Sequence, residues 1–143
     1  MQRFVVDNSV VMAWGLDESS RYADAIMDLV SQAEVLVPGI WPLEFANALL
    51  VAERRTRLSE AEAMRLKELV LEIPITVVSE PVSRILSDIL ALAREQGISC
   101  YDASYLDLAM REAVPLATID NALREAARRC RVTVMKHDKS RKA

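Results

Sequence analysis

The stretch that decides the fold is SCYDASYLDLAMREAVPLATIDN, residues 99–121. Its spacing predicts a helix over residues 103–112, followed by a short apolar strand. Asp102 lies at the start of this helix, and Asp120 comes directly after the strand. In parallel α/β proteins, functional groups collect beyond the carboxyl ends of strands, where helix N-termini also point. The stretch therefore predicts two carboxylates at one edge of a sheet.

The rest of the chain continues this alternation of strands and helices. Further strands are expected at residues 3–6, 34–37, 75–78 and 132–134, the last as an edge strand. Further helices are expected at residues 8–16, 19–33, 43–54, 59–71, 81–96 and 122–129. Ser59 and Glu62 have the spacing of a capping box, and Gly97 stands where a left-handed residue would end a helix. The alternation favours a parallel sheet that is covered on both faces.

The length and charge of the chain indicate one domain with a basic end. The 143 residues fit a single core, and 52% of them are hydrophobic with a mean hydropathy of +0.12, so some apolar surface is expected to serve a partner. The net charge is −3, but residues 124–143 contain eight Lys and Arg against two acids. We expect a domain over residues 1–135 and a basic, disordered tail over residues 136–143. Such a tail is compatible either with contact to a polyanion or with simple solvation.

Cysteine usage and hydropathy point to a cytoplasmic protein. Cys100 and Cys130 form no Cys-x-x-Cys pair, so we expect reduced, buried thiols without a disulfide or zinc site. Asp7 interrupts the first apolar run, which excludes a secretory signal there. No uncharged run approaches the roughly 20 residues that span a bilayer, so we expect no membrane contact.

Four acids are the candidate functional residues: Asp7, Glu44, Asp102 and Asp120. Asp7 and Asp120 follow predicted strands, whereas Glu44 and Asp102 fall in first helical turns. Each acid taken alone is explained as a helix cap, because carboxylates there satisfy free N–H groups and complement the helix dipole. However, Asp7 and Glu44 stand among Val, Phe and Leu, where an unpaired carboxylate is costly to bury. Both interpretations are open at this point.

A converging set of four acids favours a divalent cation over other chemistry. An anionic, all-oxygen pocket suits Mg²⁺ or Mn²⁺. His137 is the only histidine and falls in the basic tail, so acid–base work would pass to water activated by the ion, as in phosphodiester hydrolysis. The isolated glycines exclude a P-loop and a dinucleotide fingerprint. Neither Cys100 nor any serine has a histidine base nearby in the pattern.

The order and spacing of four motifs resemble the PIN-domain ribonucleases, specifically the VapC-type toxins of toxin–antitoxin pairs. The motifs are FVVDNS at residues 4–9, PLEFANAL at residues 42–49, SCYDASYLDLA at residues 99–109 and PLATID at residues 115–120. The resemblance covers the chain to about Val134. It implies a three-layer α/β/α sandwich with a mostly parallel central sheet.

The resemblance also implies an activity and a set of residue roles. It implies an endoribonuclease that depends on Mg²⁺ or Mn²⁺, forms a homodimer, is inhibited by a small VapB-type antitoxin, and leaves 5′-phosphate and 3′-hydroxyl ends. Asp7 and Asp102 would be the principal metal ligands. Glu44 and Asp120 would complete the acidic cluster directly or through water. The hydroxyls of Ser9 and Thr118 would be polar supports of the site or ordinary caps of nearby backbone. Asn8 departs from the Thr or Ala that is frequent there, which we expect to be harmless.

Several residues receive structural interpretations. Asp107 lies five positions beyond Asp102, which turns it away from that helix face, and we expect a surface charge. Trp14, Trp41, Met27 and Met64 are expected in the core or an interface. The apolar helices near the N-terminus are candidates for a dimer contact and an antitoxin groove.

Two alternative functions remain open. The first is a non-catalytic PIN-like module that binds RNA or protein and uses its acids as helix caps. The second, a phosphoacceptor domain, is disfavoured because no pair of adjacent acids follows the first strand.

Overall fold

Four parallel strands form the centre of the computed structural model, which describes residues 2–16 and 20–136. The strands are Gln2–Val6 (β1), Ala33–Pro38 (β2), Ile75–Val78 (β3) and Leu116–Ala117 (β4). They lie in the order β3-β2-β1-β4, and each neighbouring pair is parallel. The first two strands are continuous apolar runs with Phe4, Val5, Val35 and Leu36 at most 1% exposed, as expected for a sheet covered on both faces.

Eight helices and one π-helical turn surround the sheet in the described residues. The helices are Asn8–Ala13 (α1), Arg21–Val30 (α2), Trp41–Arg54 (α3), Glu60–Glu72 (α4), Val82–Arg84 (α5), Leu90–Gln96 (α6), Cys100–Glu112 (α7) and Asn121–Arg129 (α8). The π-helical turn, Ile85–Ile89, joins α5 to α6. None of these described helices is long and apolar enough to cross a membrane.

The connections place helices on both faces and create a reversal in strand order. From β1 the chain steps outward through β2 to β3, and it then returns to add β4 on the other side of β1. Because crossovers between parallel strands are right-handed, connections that run in opposite directions cover opposite faces. The predicted α/β/α sandwich is therefore confirmed, and its described sheet is parallel throughout. The reversal lies between β1 and β4.

The structure confirms the helix-capping residues that the sequence predicts. Ser59 and Glu62 form the predicted capping box, with Glu62 N donating to Ser59 Oγ at 3.1 Å and Ser59 N donating to the Glu62 carboxylate at 2.8 Å. Gly97 ends α6 with φ +66°, in the left-handed region. The strand predicted at residues 75–78 has those bounds.

Four predicted boundaries need correction. Helix α1 ends three residues before the predicted end, and α2 is shorter than residues 19–33 because Ala33 already pairs with Gln2 in the sheet. The helix predicted at residues 81–96 is interrupted by the π-helical turn. The predicted edge strand at residues 132–134 is a single parallel bridge between Leu116 and Val134, since the two-residue β4 offers little edge to pair.

Burial also differs from expectation at two residues. Asp107, expected on the surface, is 7% exposed, because its carboxylate pairs with Arg84 of α5 and with Arg111 of α7 itself. Cys100, expected to be buried, is exposed at the first position of α7. Met64 is 50% exposed, whereas Trp41 is buried and stacks on Phe45 at a ring distance of 5.4 Å. Of the predicted basic tail, Lys136 is described, and residues 137–143, with His137, lie outside the described residues.

Candidate active site

Asp7 and the segment after β4 lie side by side at the reversal in strand order. Asp7 follows β1 directly, and its backbone N–H donates to the carbonyl of Ala117 at 3.1 Å. Thr118 and Asp120 follow β4, the strand that pairs with β1. Ligands of open parallel sheets bind at such a switch point because the connections leave it in opposite directions. The fold thus brings the first and the last of the candidate acids to one crevice.

Hydrogen bonds hold the carboxylate of Asp7 from both sides. Ser9 donates its hydroxyl to Oδ1 at 2.5 Å, and Thr118 donates its hydroxyl to Oδ2 at 2.6 Å. The backbone N–H groups of Ser9 and Val10 also donate to Oδ1, so Asp7 is the N-cap of α1. With Asp7 only 5% exposed, these bonds fix its orientation.

The two supporting hydroxyls also tie the ends of β1 and β4 together. Ser9 Oγ accepts a hydrogen bond from the N–H of Ile119 at 3.1 Å. Thr118 Oγ1 accepts one from the N–H of Asp120 at 3.0 Å. Each hydroxyl therefore donates to Asp7 while it caps the backbone after β4. The two interpretations of these hydroxyls, site support and backbone cap, describe the same bonds.

The pKa of the Asp7 carboxyl is unusually high. Burial raises this pKa from 3.8 to about 6, against the opposing effect of the hydrogen bonds from Ser9, Thr118 and Val10. The charge of Asp102 adds a smaller rise. Within the described residues no Lys or Arg pairs with Asp7. A buried carboxylate that no cation neutralises is costly, and a bound metal ion would remove that cost.

Asp102 is the acid whose carboxyl interacts electrostatically with the other three. It is in the first turn of α7, and its N–H donates to Oγ of Ser99, the N-cap residue, at 3.0 Å. Burial raises the pKa of Asp102, and the charges of Asp120 and Glu44 raise it further. The charge of Asp102 also raises the pKa of Asp7. The Asp102 carboxylate is therefore close enough to interact electrostatically with each of the other three acids.

Tyr105 contributes to the site although the sequence did not single it out. Its buried hydroxyl donates to the Glu44 carboxylate, which links α7 to the first turn of α3. Burial, followed by this bond and the charges of Glu44, Asp7 and Asp102, raises the pKa of Tyr105. The available signal was spacing, because a residue three positions after Asp102 lies on the same helix face. The sequence could not show that Glu44 faces it.

Asp120 is the most exposed of the four acids. It is the N-cap of α8 and accepts a hydrogen bond from the N–H of Leu123 at 3.1 Å. Its charge nevertheless raises the pKa of Asp102. Asp120 can therefore cap α8 and also belong to the acid cluster, just as Asp7 caps α1 and belongs to the cluster.

The donor set fits a hydrated divalent cation. Within the described ranges, no three carboxylate, thiol or imidazole groups stand close enough to enclose a metal ion. Mg²⁺ keeps several waters, however, and is commonly bound through only one or two carboxylates. The side-chain oxygen of Asn8 is buried without a hydrogen-bond partner among the described residues, and Asn8 lines a groove of about 380 Å³ with Glu44 and Asn47. Carboxylate and amide oxygens are suitable partners for such an ion and its waters.

Comparisons with known proteins agree with this arrangement. A model of the PIN domain family matches residues 4–129. Ribonuclease VapC3 of Pyrobaculum aerophilum is 34% identical over 125 residues, which make up 86% of this chain and 93% of that protein. The crystal structure of PAE2754 from the same organism superposes with a TM-score of 0.65 at 27% identity and covers 87% of this chain and 86% of its own.

A more distant structure shows the same fold. VapBC2 from Rickettsia felis, solved bound to a DNA fragment from their promoter, gives a TM-score of 0.65 at 9% identity. The match covers 94% of this chain and 98% of that one. Family model, sequence relative and fold together show that this chain belongs to the PIN-domain family, and within it to the VapC type.

Proposed function

We propose that this protein is an endoribonuclease that depends on Mg²⁺ or Mn²⁺ and acts as the toxin of a toxin–antitoxin pair. The observation that carries the proposal is the group of four acids around the switch point, in which Asp7 is buried and unpaired by any described cation. The raised pKa values of Asp7 and Asp102 support a cation there, because a cation favours the charged carboxylates. The relationship to Ribonuclease VapC3 supports RNA as the substrate.

Asp7 and Asp102 would hold the ion, and Glu44 and Asp120 would complete its surroundings directly or through water. When bound, a divalent cation activates water at neutral pH and neutralises charge on the phosphate under attack. Cleavage of this kind leaves 5′-phosphate and 3′-hydroxyl ends in the family that the sequence resembles.

The remaining residues orient these acids. Ser9 and Thr118 each donate to a different oxygen of Asp7 and so fix the orientation of its carboxylate between β1 and β4. Tyr105 holds Glu44 toward α7 and excludes water from that side, since its ring is 1% exposed. Positioning of this kind matters because small displacements of catalytic groups reduce rates steeply.

A small antitoxin and a second copy of the chain are the partners that we propose. The structural similarity to VapBC2 of Rickettsia felis supports a VapB-type antitoxin as a partner of this chain. The exposed apolar side chains between Leu43 in α3 and Met110 in α7 supply surface for such contacts.

Cleavage of a mixed-sequence RNA tests the proposal. We expect Mg²⁺ or Mn²⁺ to support cleavage with 5′-phosphate ends, EDTA to abolish it, and Asp102→Asn to reduce the rate at least about 100-fold. Asp24→Asn is the matched control, because Asp24 is also an acid in a first helical turn, in α2, but lies outside the cluster. Cleavage that survives both EDTA and Asp102→Asn would contradict the proposal.

The second candidate is a non-catalytic binding module. It is favoured by one observation, that Asp7 and Asp120 both accept N-cap hydrogen bonds. Such a module predicts RNA or protein binding with no cleavage under any metal and no difference between Asp102→Asn and Asp24→Asn.

A further inference from the structure

A basic groove of about 920 Å³ runs beside α8. Among the described residues it is lined by Tyr22, Arg124, Arg128, Arg131, Val132, Thr133, Val134, Met135 and Lys136, and none of these is an acid. We propose that this groove binds the phosphates of single-stranded RNA and leads the strand to the acid cluster. The inference rests on the proposed function for its substrate, and it assigns a binding surface that the acids themselves do not provide.

Arg124 connects the groove to the acid cluster. Its Nε donates to the carbonyl oxygen of Thr118 at 2.8 Å, and its guanidinium lies 4.7 Å from the centre of the Tyr22 ring. Thr118 in turn donates to Asp7. Thr118 alone therefore lies between Arg124, at this end of the groove, and the buried carboxylate of Asp7. The hydrogen bond to Thr118 and the contact with the Tyr22 ring hold Arg124 in place.

Two further arginines continue the groove away from the site. Arg128 follows Arg124 by one helical turn, about 6 Å along α8, on the same face. Arg131 follows the end of α8 with φ +61°, a left-handed conformation that turns the chain back along the groove. Lys136 follows Val134 by two residues, and the parallel bridge between Val134 and Leu116 brings it back toward the level of Thr118. Positive charge is thus placed along the groove rather than at one point.

These charges are not used to stabilise the fold. Among the described residues, Arg128, Arg131 and Lys136 make no ion pair, whereas Arg3, Arg84 and Arg111 all do. An array of unpaired cations favours a polyanion, which releases its counterions on binding.

The acid cluster explains why a separate phosphate-binding surface is needed. Four carboxylates repel RNA, and residues outside the last 20 carry a net charge of −9. A single strand enters a groove of this size over a few nucleotides, whereas a duplex would present only one backbone to it. Single-stranded RNA is therefore the ligand that the groove fits best.

Binding of a fluorescent 12-nucleotide mixed-sequence RNA to the full chain in EDTA tests the inference, since cleavage is then absent. Arg128→Gln combined with Arg131→Asn removes two charges, and Asn tolerates the left-handed position. We expect binding about tenfold weaker at low salt and a salt slope smaller by about 1.4, or about 0.7 per lost phosphate contact. Arg65→Gln with Arg94→Gln is the control, because both are exposed helical arginines outside the groove and the charge change is equal. It should leave the slope unchanged.

Two further arms separate folding and partner effects. Arg128→Lys with Arg131→Lys keeps the charge and should retain the slope, with a melting temperature like that of the first variant. An unchanged slope and affinity in the Gln/Asn variant would overturn the inference, even if Mg²⁺-dependent cleavage is observed. If the Gln/Asn variant loses RNA binding while the wild type cleaves no RNA, the result would support RNA binding in the groove and reject the proposed nuclease activity.

A polyglutamate peptide tests for an acidic protein partner instead. If it binds the wild type more tightly than RNA does, and does not bind the Gln/Asn variant, the inference of RNA binding would be overturned.

Discussion

The hydrogen bonds around Asp7 favour its charged carboxylate, whereas its burial disfavours that charge. Its side chain is buried, yet four donors from Ser9, Val10 and Thr118 point at its two oxygens as they would at a carboxylate. Burial prevails over these hydrogen bonds, because the pKa rises to about 6. The free protein therefore carries an energetic cost at neutral pH that a bound cation would relieve.

This cost predicts a specific dependence of stability on pH. Well below pH 3.8 the proton is bound in both states, so the cost is absent. Between pH 3.8 and about 6 the unfolded chain releases a proton that the folded chain retains, so rising pH destabilises the fold, by about 3 kcal/mol over the whole titration. Asp7→Asn removes this titration. In EDTA, we expect its unfolding free energy relative to wild type to increase by about 2 kcal/mol from about pH 4 to pH 7, as measured by urea titration.

The difference between the two proteins isolates Asp7 from other titrating groups, and hydrogen bonds lost in the variant add only a constant offset. Mn²⁺ at pH 7 should raise the melting temperature of the wild type and not that of Asp7→Asn. A difference that stays flat with pH would show that the buried carboxyl has an ordinary pKa.

Residues with local signals were predictable, and residues whose partners lie far along the chain were not. The positions of Asp7, Asp102 and Asp120 at the sheet edge can be predicted because each follows a strand or begins a helix. Tyr105 and Asp107 were missed or misread, because their roles depend on which helix faces α7. Tyr105 meets Glu44, which is 61 positions away, and no pattern within one element reveals that contact.

At the scale of elements, Asp107 fastens α7 to the segment before the π-helical turn. Its carboxylate accepts Nη2 of Arg84 at 2.7 Å, Nη1 of Arg84 at 3.2 Å and Nε of Arg111 at 3.1 Å. Glu80 pairs with both arginines and closes the network. The network anchors the middle of the helix whose first turn carries Asp102. The same paired bonds explain why an acid that points away from the site is buried.

Asp107→Asn should destabilise the fold substantially. Removing one partner of a buried ion pair leaves the others uncompensated, and we expect a loss of about 2–4 kcal/mol in unfolding free energy. Glu112→Gln is the matched control, since it breaks the Arg3–Glu112 pair of 2.9 Å, which is largely in solvent, and we expect no measurable loss. Chemical denaturation of the two variants checks this. Equal stabilities would mean that the network is no more important than a surface pair.

At the scale of the whole molecule, the sequence predicted excess hydrophobicity but not its location. The apolar helices near the N-terminus are the expected contact surface, and all the large exposed hydrophobic side chains among the described residues lie between Leu43 in α3 and Met110 in α7. The helices α1 and α2 are covered because they pack on each other, and α1 also packs on α3. The order of the strands and the packing of the helices decide exposure, and composition does not report either.

One part of this surface has the character of a self-association site. Tyr101, which is 60% exposed, lines a mostly apolar groove of about 380 Å³ together with Ile85 and Ile89. Val82 and Leu86, 70% and 65% exposed, belong to the same helical segment as Ile85. Homodimer interfaces are more apolar than ordinary surface, and a two-fold axis uses the same patch twice. A second copy of this chain is therefore the occupant that we propose for it.

Leu86→Arg should convert the dimer to a monomer, because two-fold symmetry places the new charge in the interface twice, unpaired and desolvated. Leu71→Arg is the matched control: Leu71 is 76% exposed against 65% for Leu86, but it lies on α4, away from the groove. Sedimentation equilibrium across a range of concentrations measures the outcome. We expect the wild type and Leu71→Arg to dimerise and Leu86→Arg to remain monomeric with an unchanged melting temperature at high dilution. A dimer that survives Leu86→Arg with its dissociation constant intact would place the interface on another face, since a charge buried twice costs several kcal/mol.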